Sequence, residues 1–463
     1  MTSVLTSQLP KGIGAQEGHP RGLYVLFATE MWERFGFYSM LAMFTLYLQN
    51  PVQGFGWTAA QATTLYSNYM MFVYASPLVG GWLADRLTGY RAAITVGGLL
   101  LCGGYMLLAF RSVAMLYLAL TCIVIGNGFF KPNVSTMVGN LYPDGSRLKD
   151  SAYNFFYMGI NVGAFIAPIV AETVMQRYGF HRAFPVAGAG MIFALVVFWS
   201  LRRWVSGRDK GTSLELKEGD GSEESSHGKG IDTVPDSKRV LALIVIFLIV
   251  IVFWMIFHQN FSTLTYWAND NTNWTAAPMV LRLAQVLTFG TVKPDVGNIS
   301  GVISTAIDPF WIVVLTFPLV TFWGWLGRKG LEPSTPAKIA IGMFLTAVSY
   351  YIMYCAALAG GDSGKVSPWW LISAYGVIAL GELMLSPMGL SLVSKVAPVR
   401  MRGLMMGGWF VATAIGNKLT AIGVYWQVWK HSTFFFILAT MALVTGFVLI
   451  VLLKPLKKAM PGA

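Results

Sequence analysis

The chain has 463 residues, of which 55% are hydrophobic and only 12% charged. A soluble domain carries roughly 25% charged residues, so most of this chain must meet lipid. The net charge of +12 invites a nucleic-acid reading, but the positions of the charges exclude one. With the N-terminus in the cytoplasm, the inside segments collect about 23 of the basic residues, which is the positive-inside bias of a multi-pass membrane protein. Cys102, Cys122 and Cys355 are scattered in apolar settings, so neither a disulfide framework nor a thiolate metal site is expected. No cofactor is implied.

In chain order, residues 1–21 are polar and lack a compact apolar core with a small-residue cleavage site. They are expected to be a cytoplasmic tail, with the first helix acting as an uncleaved signal. A helical crossing needs about 20 residues. Apolar stretches of that order run over 22–49, 57–85, 92–110, 113–141, 151–174 and 184–203, forming a first bundle at 22–205. The stretch 206–238 is rich in Lys, Glu, Asp, Gly and Ser and reads as a flexible cytoplasmic linker. Further stretches follow over 239–268, 300–327, 337–359, 367–395, 403–427 and 431–454, forming a second bundle at 239–455 before a cytoplasmic tail at 456–463. Between the seventh and eighth crossings the polar segment 269–298 holds an apolar patch at 278–287, predicted as a short surface helix. Strands of about ten residues with alternating polarity are missing, which argues against a barrel. Six helices plus six, with both termini inside, is the layout of major facilitator transporters, whose halves hold substrate between them at mid-membrane. The predicted fold is an all-α membrane protein with twelve transmembrane helices in two six-helix bundles around a central cavity.

Charges inside the apolar runs are the candidate functional residues, because ionisable groups at that depth are expensive and mark pathways for substrate or ions. Glu30, Glu33 and Arg34 stand three and four residues apart in the first helix and crowd one side of it. Two acids and a guanidinium on one face suit a site that handles protons and an anionic group. Lys131 in the fourth helix and Glu382 in the tenth lie in the middle of long apolar runs.

The motifs around these charges carry a family likeness. Gly80-Gly81-Trp82-Leu83-Ala84-Asp85-Arg86-Leu87-Thr88-Gly89-Tyr90-Arg91 resembles the cytoplasmic loop motif of the major facilitator superfamily, in which Asp85 and Arg86 belong to the gate loop. Glu30 to Tyr38 resembles the ExxERFxYY signature of the proton-coupled oligopeptide transporter (POT) family. Phe129-Phe130-Lys131-Pro132-Asn133-Val134-Ser135, Phe155-Phe156-Tyr157-Met158-Gly159-Ile160-Asn161-Val162-Gly163, and Gly381-Glu382-Leu383 with Ser386-Pro387 are similar to that family's fourth-, fifth- and tenth-helix motifs. The likeness covers nearly the whole chain. It implies a symporter of di- and tripeptides, multi-pass in the cytoplasmic (inner) membrane of a bacterium and functional as a monomer, with small peptides, protons and lipid as its partners. It assigns the peptide carboxylate to Arg34, Lys131, Asn161 and Tyr38, and the peptide amine to Glu382. Tyr74, Trp254, Gln259, Ser386 and Trp409 are expected to line the cavity. Proton coupling would come from Glu30 and Glu33 competing with the peptide carboxylate for Arg34 and Lys131.

Several positions depart from the family pattern. Phe37 replaces the first tyrosine of the signature, Leu41 stands where many members have a second arginine, and His258 stands where most have glutamate. The salt bridge those last two would form is therefore absent. Asp308 replaces an asparagine and adds an acid near the expected amine end. His258 is read either as a second protonation site, paired with Asp308 or Glu382, or as a neutral histidine bonded to Gln259 or a backbone carbonyl. Lys418 is an unassigned charge in the eleventh crossing. The alternatives are the same fold carrying another small solute such as nitrate or a peptide-like compound, a membrane receptor, or a membrane enzyme. The chain has only five histidines and none in metal-ligand spacing, which disfavours the enzyme.

Overall fold

The computed structural model describes residues 19–142, 148–205, 234–293, 299–398 and 401–460. Most of the expected N-terminal tail, the linker up to residue 233 and residues 461–463 lie outside the described residues, as do the side chains of Asp85 and Ser386.

The long helices follow the apolar stretches closely: α1 (Arg21–Gln49), α2 (Ala59–Leu83), α3 (Tyr90–Leu107), α4 (Val113–Asn140), α5 (Leu148–Tyr178), α6 (Phe180–Ser200) and α7 (Asp236–Phe257). Three short helices come next, α8 (Thr263–Asp270), α9 (Pro278–Leu287) and α10 (Gly301–Ser304). The long ones then resume as α11 (Ile307–Arg328), α12 (Thr335–Ala359), α13 (Pro368–Val396), α14 (Arg402–Leu419) and α15 (His431–Ala459). The predicted surface helix at 278–287 is present as α9. Nine helical stretches among the described residues are long and apolar enough to cross a membrane by composition. The three long helices that fall short, α1, α2 and α14, carry buried polar side chains such as Glu30, Thr63 and Asn417. Their polarity is turned inward.

Three of the expected crossings are interrupted. The seventh is bent: α7 stops at Phe257, a 3₁₀ turn covers His258–Phe261, and Ser262 (φ −136°, ψ −94°) breaks the path before α8. The eleventh continues past α14 as a 3₁₀ segment, Thr420–Gln427. The second closes with a π-turn, Ala84–Thr88, that ends at Gly89 with φ 75°. That left-handed backbone favours glycine.

In the first half α1 packs on α5 and α6, α3 on α4 and α6, and α2 on α4. In the second, α12 lies against α13 and α15, α7 against α14 and α15, and α11 against α13. The halves meet along two seams, α2 with α14 and α5 with α11. Hydrogen bonds cross between them toward the face opposite the N-terminus. Thr45 donates to the Phe261 carbonyl at 3.2 Å, Tyr66 to the His258 carbonyl at 3.1 Å and Arg177 to the Phe289 carbonyl at 2.7 Å, while the Thr63 and Tyr266 hydroxyls stand 3.2 Å apart. Lys418 donates to the Asn68 side chain on the same side. Exposed Phe317, Val320 and Val451 belong to an outer surface suited to lipid.

Close helix approach depends on missing side chains. A Cβ on Gly80 would stand 2.0 Å from the Gly128 carbonyl oxygen, so α2 and α4 touch backbone to backbone there. Gly80→Val is expected to destabilise the protein by about 1–3 kcal/mol, the cost of overpacking a tight interface. Thermal melting of the purified variant in detergent measures it, and an unchanged melting temperature would contradict the contact.

Candidate functional site

Helical spacing places Glu30, Glu33 and Arg34 on one side of α1, and packing buries all three, leaving 1%, 0% and 2% exposed. Arg34 grips Glu33 with two bonds, Nε to Oε2 at 2.5 Å and Nη2 to Oε1 at 2.7 Å. Its Nε also stands 3.4 Å from Oε1 of Glu30, whose Oε2 is buried without a hydrogen-bond partner. The guanidinium lies 4.9 Å from the centre of the Phe37 ring. A phenyl in place of the family's tyrosine therefore still meets the arginine, now through its face.

Asn127 of α4 accepts from Arg34 Nη2 at 3.2 Å and donates to the Val73 carbonyl at 2.9 Å. Sequence reasoning missed it. Its position four residues before Lys131, on the same helix face, was the available signal.

The glycine contact between α2 and α4 brings Tyr74 beneath Lys131, with Nζ 4.9 Å from the ring centre. Lys131 is close enough to Arg34, Glu30 and Glu33 to feel their charges, yet no carboxylate forms an ion pair with it among the described residues. On α5, a Cβ at Gly163 would stand 2.3 Å from the Met31 carbonyl, so Asn161 is held close to α1. Its amide donates to the Tyr157 carbonyl at 3.0 Å, and the side chain also reaches the Tyr157 hydroxyl.

The other wall comes from the second half. Gly381 packs against the Gly342 carbonyl across α12 and α13, fixing the neighbouring Glu382. Glu382 faces Asp308, in the first turn of α11, and Tyr157 of the first half. Asp308 is 8% exposed, and its Oδ1 has no partner. Tyr38 stands where the two walls meet: its ring stacks on Phe261 at 5.8 Å and lies within electrostatic reach of Tyr74, Arg34, Glu382 and Asp308. Trp254, with an unpartnered indole N–H, and Trp409, edge-on to Phe247 at 6.3 Å, belong to the α7–α14 pair.

Of the two readings of His258 the geometry matches the one with a backbone carbonyl as partner, and the expectation for Gln259 is corrected. His258 pairs with neither Asp308 nor Glu382. The 3₁₀ turn points its ring back to the Trp254 carbonyl at 3.3 Å, and it stacks on Trp254 at 5.0 Å beside Tyr74 and Phe257. Gln259 does not offer its amide to the cavity. Its NH₂ goes to the Met255 and Thr420 carbonyls at 3.3 and 3.1 Å, and its oxygen accepts from Ser262 and Thr263. Arg86 is exposed over the Trp82 ring at 5.1 Å in the loop motif, apart from this constellation.

Comparison with known proteins places these residues in a family context. The POT family profile matches residues 91–218 and 222–436. The Di-/tripeptide transporter of Lactococcus lactis subsp. lactis (strain IL1403) is 32% identical over 497 residues, spanning 96% of this chain and 97% of that protein. A crystal structure of the peptide transporter POT in complex with sulfate superposes with a TM-score of 0.81 at 29% identity, covering 97% of each chain. A POT family transporter in complex with 5-aminolevulinic acid gives 0.81 at 27% identity, covering 96% of this chain and 98% of that one.

The Arg34 network predicts a specific weakness. Asn127→Leu leaves a buried guanidinium N–H unpartnered and the Val73 carbonyl with only the Ser76 hydroxyl, and should destabilise the protein by about 1–3 kcal/mol. Asn127→Asp, which keeps an acceptor beside Arg34, should lose less. Equal melting temperatures for wild type and Asn127→Leu would rule the network out as a source of stability.

Proposed function

The chain belongs to the POT family, and from that membership and the charges of its site we propose that it is a proton-driven symporter of di- and tripeptides. The observation that carries this reading is the distribution of uncommitted charge. Among the described residues, Lys131 has no carboxylate ion-pair partner, and Glu382 and Asp308 face one another with no cation paired to either. A free peptide is a zwitterion, and an enclosed site must neutralise both of its ends. Its carboxylate would meet Lys131, Arg34 and Asn161, with Tyr38 alongside. Its ammonium would meet Glu382 and Asp308. Tyr74, Trp254 and Trp409 supply apolar walls for variable side chains, and a few polar tips.

Proton coupling follows from competition for Arg34. Glu33 holds the guanidinium with two short bonds, whereas Glu30 touches it at 3.4 Å and keeps an oxygen unpartnered. Glu30 is therefore the looser acid. A peptide carboxylate arriving at Arg34 and Lys131 would displace it more readily than Glu33, and the displaced carboxylate takes a proton because a buried lone charge is costly.

The positive-inside bias supports both termini in the cytoplasm, and the bacterial relatives support the cytoplasmic (inner) membrane of a bacterium. The halves 22–205 and 239–455, joined by the cytoplasmic linker 206–238, would rock about the site to expose it to each face in turn. One chain holds the whole site, so a monomer suffices. The neighbour bound to 5-aminolevulinic acid, itself an amine and a carboxylic acid, favours a second reading in which other compact zwitterions share the clamp.

Labelled dialanine should accumulate in liposomes containing the protein only with an inward proton gradient; equal uptake without the gradient would reject symport. Lys131→Ala and Glu382→Gln should each abolish accumulation, and Glu382→Gln should weaken dipeptide binding by about 3–5 kcal/mol, as expected for a buried ammonium that loses its counter-charge. Glu30→Gln should lose uphill uptake yet retain peptide exchange between loaded vesicles, because exchange needs no net proton movement.

His258 is expected to have no share in coupling. Its ring is buried among aromatic groups with a backbone carbonyl as its hydrogen-bond partner, so His258→Gln should leave the shape of the uptake profile between about pH 5.5 and 7.5 unchanged. A flattened profile would restore it to the proton path.

A further inference from the structure

One carboxylate outside the substrate site sits on the seam between the halves. Glu172, near the end of α5, is 0% exposed. Its Oε1 accepts from the Ser300 backbone N–H at 3.0 Å and from Gln176 Nε2 at 3.0 Å. Its Oε2 accepts from the Ser300 hydroxyl. That hydroxyl in turn accepts from the Val302 N–H at 3.2 Å, which directs its own hydrogen onto the carboxylate. Glu172 belongs to the first half and Ser300 to the second, so these are bonds between the halves.

No cation answers this charge among the described residues. Arg177, one turn further along α5, is engaged by the Phe289 carbonyl. Asp270 of α8 is bonded to Asn269 at 2.7 Å. At the start of α6, His181 is engaged by the Ala109 carbonyl and Arg182 lies over the Tyr178 ring. The end of α1 offers only neutral groups such as Thr45 and Gln49, α10 has no charged residue, and Asp308 is the acid at the start of α11. A polar recess of about 480 Å³, lined in part by Gln49, Gln53, Gln176, Asn269 and Ser300, adjoins the contact and gives water a route to it.

A carboxylate held only by donors is sensitive to protonation. Hydrogen bonds to an ionised acceptor are roughly twice as strong as neutral ones, and a proton on either oxygen displaces or weakens a donor from Ser300. We infer that Glu172 is a positioning residue of the transport cycle: ionised, it latches the halves together at the outer face through Ser300, and a proton arriving from outside releases the latch. The inference rests on the proposed alternating-access reading, and it puts the response to external acid on the side that must open to admit substrate. It separates an opening proton at Glu172 from the coupling proton at Glu30.

The test measures opening without substrate, so its result stands apart from the cargo assignment. Spin labels at Val113→Cys and Ser363→Cys, both exposed on the outer side of opposite halves, are introduced after Cys102, Cys122 and Cys355 are replaced by serine. Electron–electron distances are then recorded for the full chain in nanodiscs. The outer distance should lengthen as pH falls from about 8 to about 5, the range open to a buried glutamate. Glu172→Gln should hold one distance across that range, and Glu172→Asp should keep a transition. Ser300→Ala covers the case in which the glutamine variant does not fold. Losing a donor to the ionised form makes protonation easier, so its midpoint should rise by roughly one pH unit, the equivalent of one hydrogen bond to a charged group. A pH-independent wild-type distance, an unaltered transition in Glu172→Gln, or an unmoved midpoint in Ser300→Ala would each overturn the latch.

Discussion

Everything near the centre of this protein depends on one constraint: a charge removed from water must be answered by another. Arg34 is answered within its own helix by Glu33 and Glu30, and Asn127 takes a further N–H. That leaves Lys131 over an aromatic face and two acids, Glu382 and Asp308, together on the opposite wall. The first-half cluster is balanced in formal charge, Arg34 and Lys131 against Glu30 and Glu33, but both acids gather on Arg34, while the opposite wall holds two acids. On the proposed reading a zwitterion serves both walls at once, its carboxylate meeting Lys131 and its ammonium the two acids, whereas a simple anion or cation serves only one. On the proposed reading the same constraint couples the proton, because a carboxylate pushed off its arginine while the substrate occupies Lys131 is a buried lone charge.

The backbone serves this electrostatic arrangement at specific places. Gly80 against Gly128, Gly163 against Met31, and Gly381 against Gly342 each let two helices approach to backbone contact beside a functional side chain. Close contact fixes Tyr74 under Lys131, Asn161 near α1, and Glu382 beside Asp308. Of the irregular segments, the 3₁₀ turn His258–Phe261 borders the site through Tyr38 and Tyr74, the 3₁₀ segment Thr420–Gln427 follows α14 on the seam opposite the N-terminus, and the π-turn Ala84–Thr88 sits at the other end of the bundle. Close-packed helix pairs hold the charges, and the bends fall at helix termini.

This division explains what could be read from the sequence. Buried charges in apolar runs are conspicuous, so Glu30, Glu33, Arg34, Lys131 and Glu382 were legible from composition alone, and hydropathy gave the helices to within a few residues. The apolar patch at 278–287 was legible for the same reason. Two readings of His258 stayed open because spacing gives a residue's position along a helix and not the direction taken when the helix tightens. The 3₁₀ turn swings its ring onto the Trp254 carbonyl, away from the acids. Gln259 was misread through the same turn. Glu172 was invisible in its own way: its partner Ser300 lies 128 residues away, at the edge of a polar loop with no hydrophobic period to place it.

The missing salt bridge between the halves then takes on a physical meaning. Leu41 is fully buried in the apolar core of the first half, and His258 is enclosed by aromatic rings, so neither position is left holding an unanswered charge. Closure instead uses charge against neutral partner: Lys418 on the Asn68 amide along the α2–α14 seam, and Glu172 on Ser300 where α5 meets the second half. Breaking a buried ion pair strands two charges and costs about 3–5 kcal/mol. Breaking a hydrogen bond to one charge costs about 1.5–3 kcal/mol, and less once water or a proton reaches it. Contacts of this weaker kind, Lys418 on Asn68, Glu172 on Ser300 and Arg177 on the Phe289 carbonyl, hold the halves together alongside the neutral bonds of Thr45, Tyr66 and Thr63. That arrangement lets opening respond to conditions at the membrane surface without disturbing the Arg34 cluster, which must remain paired until substrate arrives.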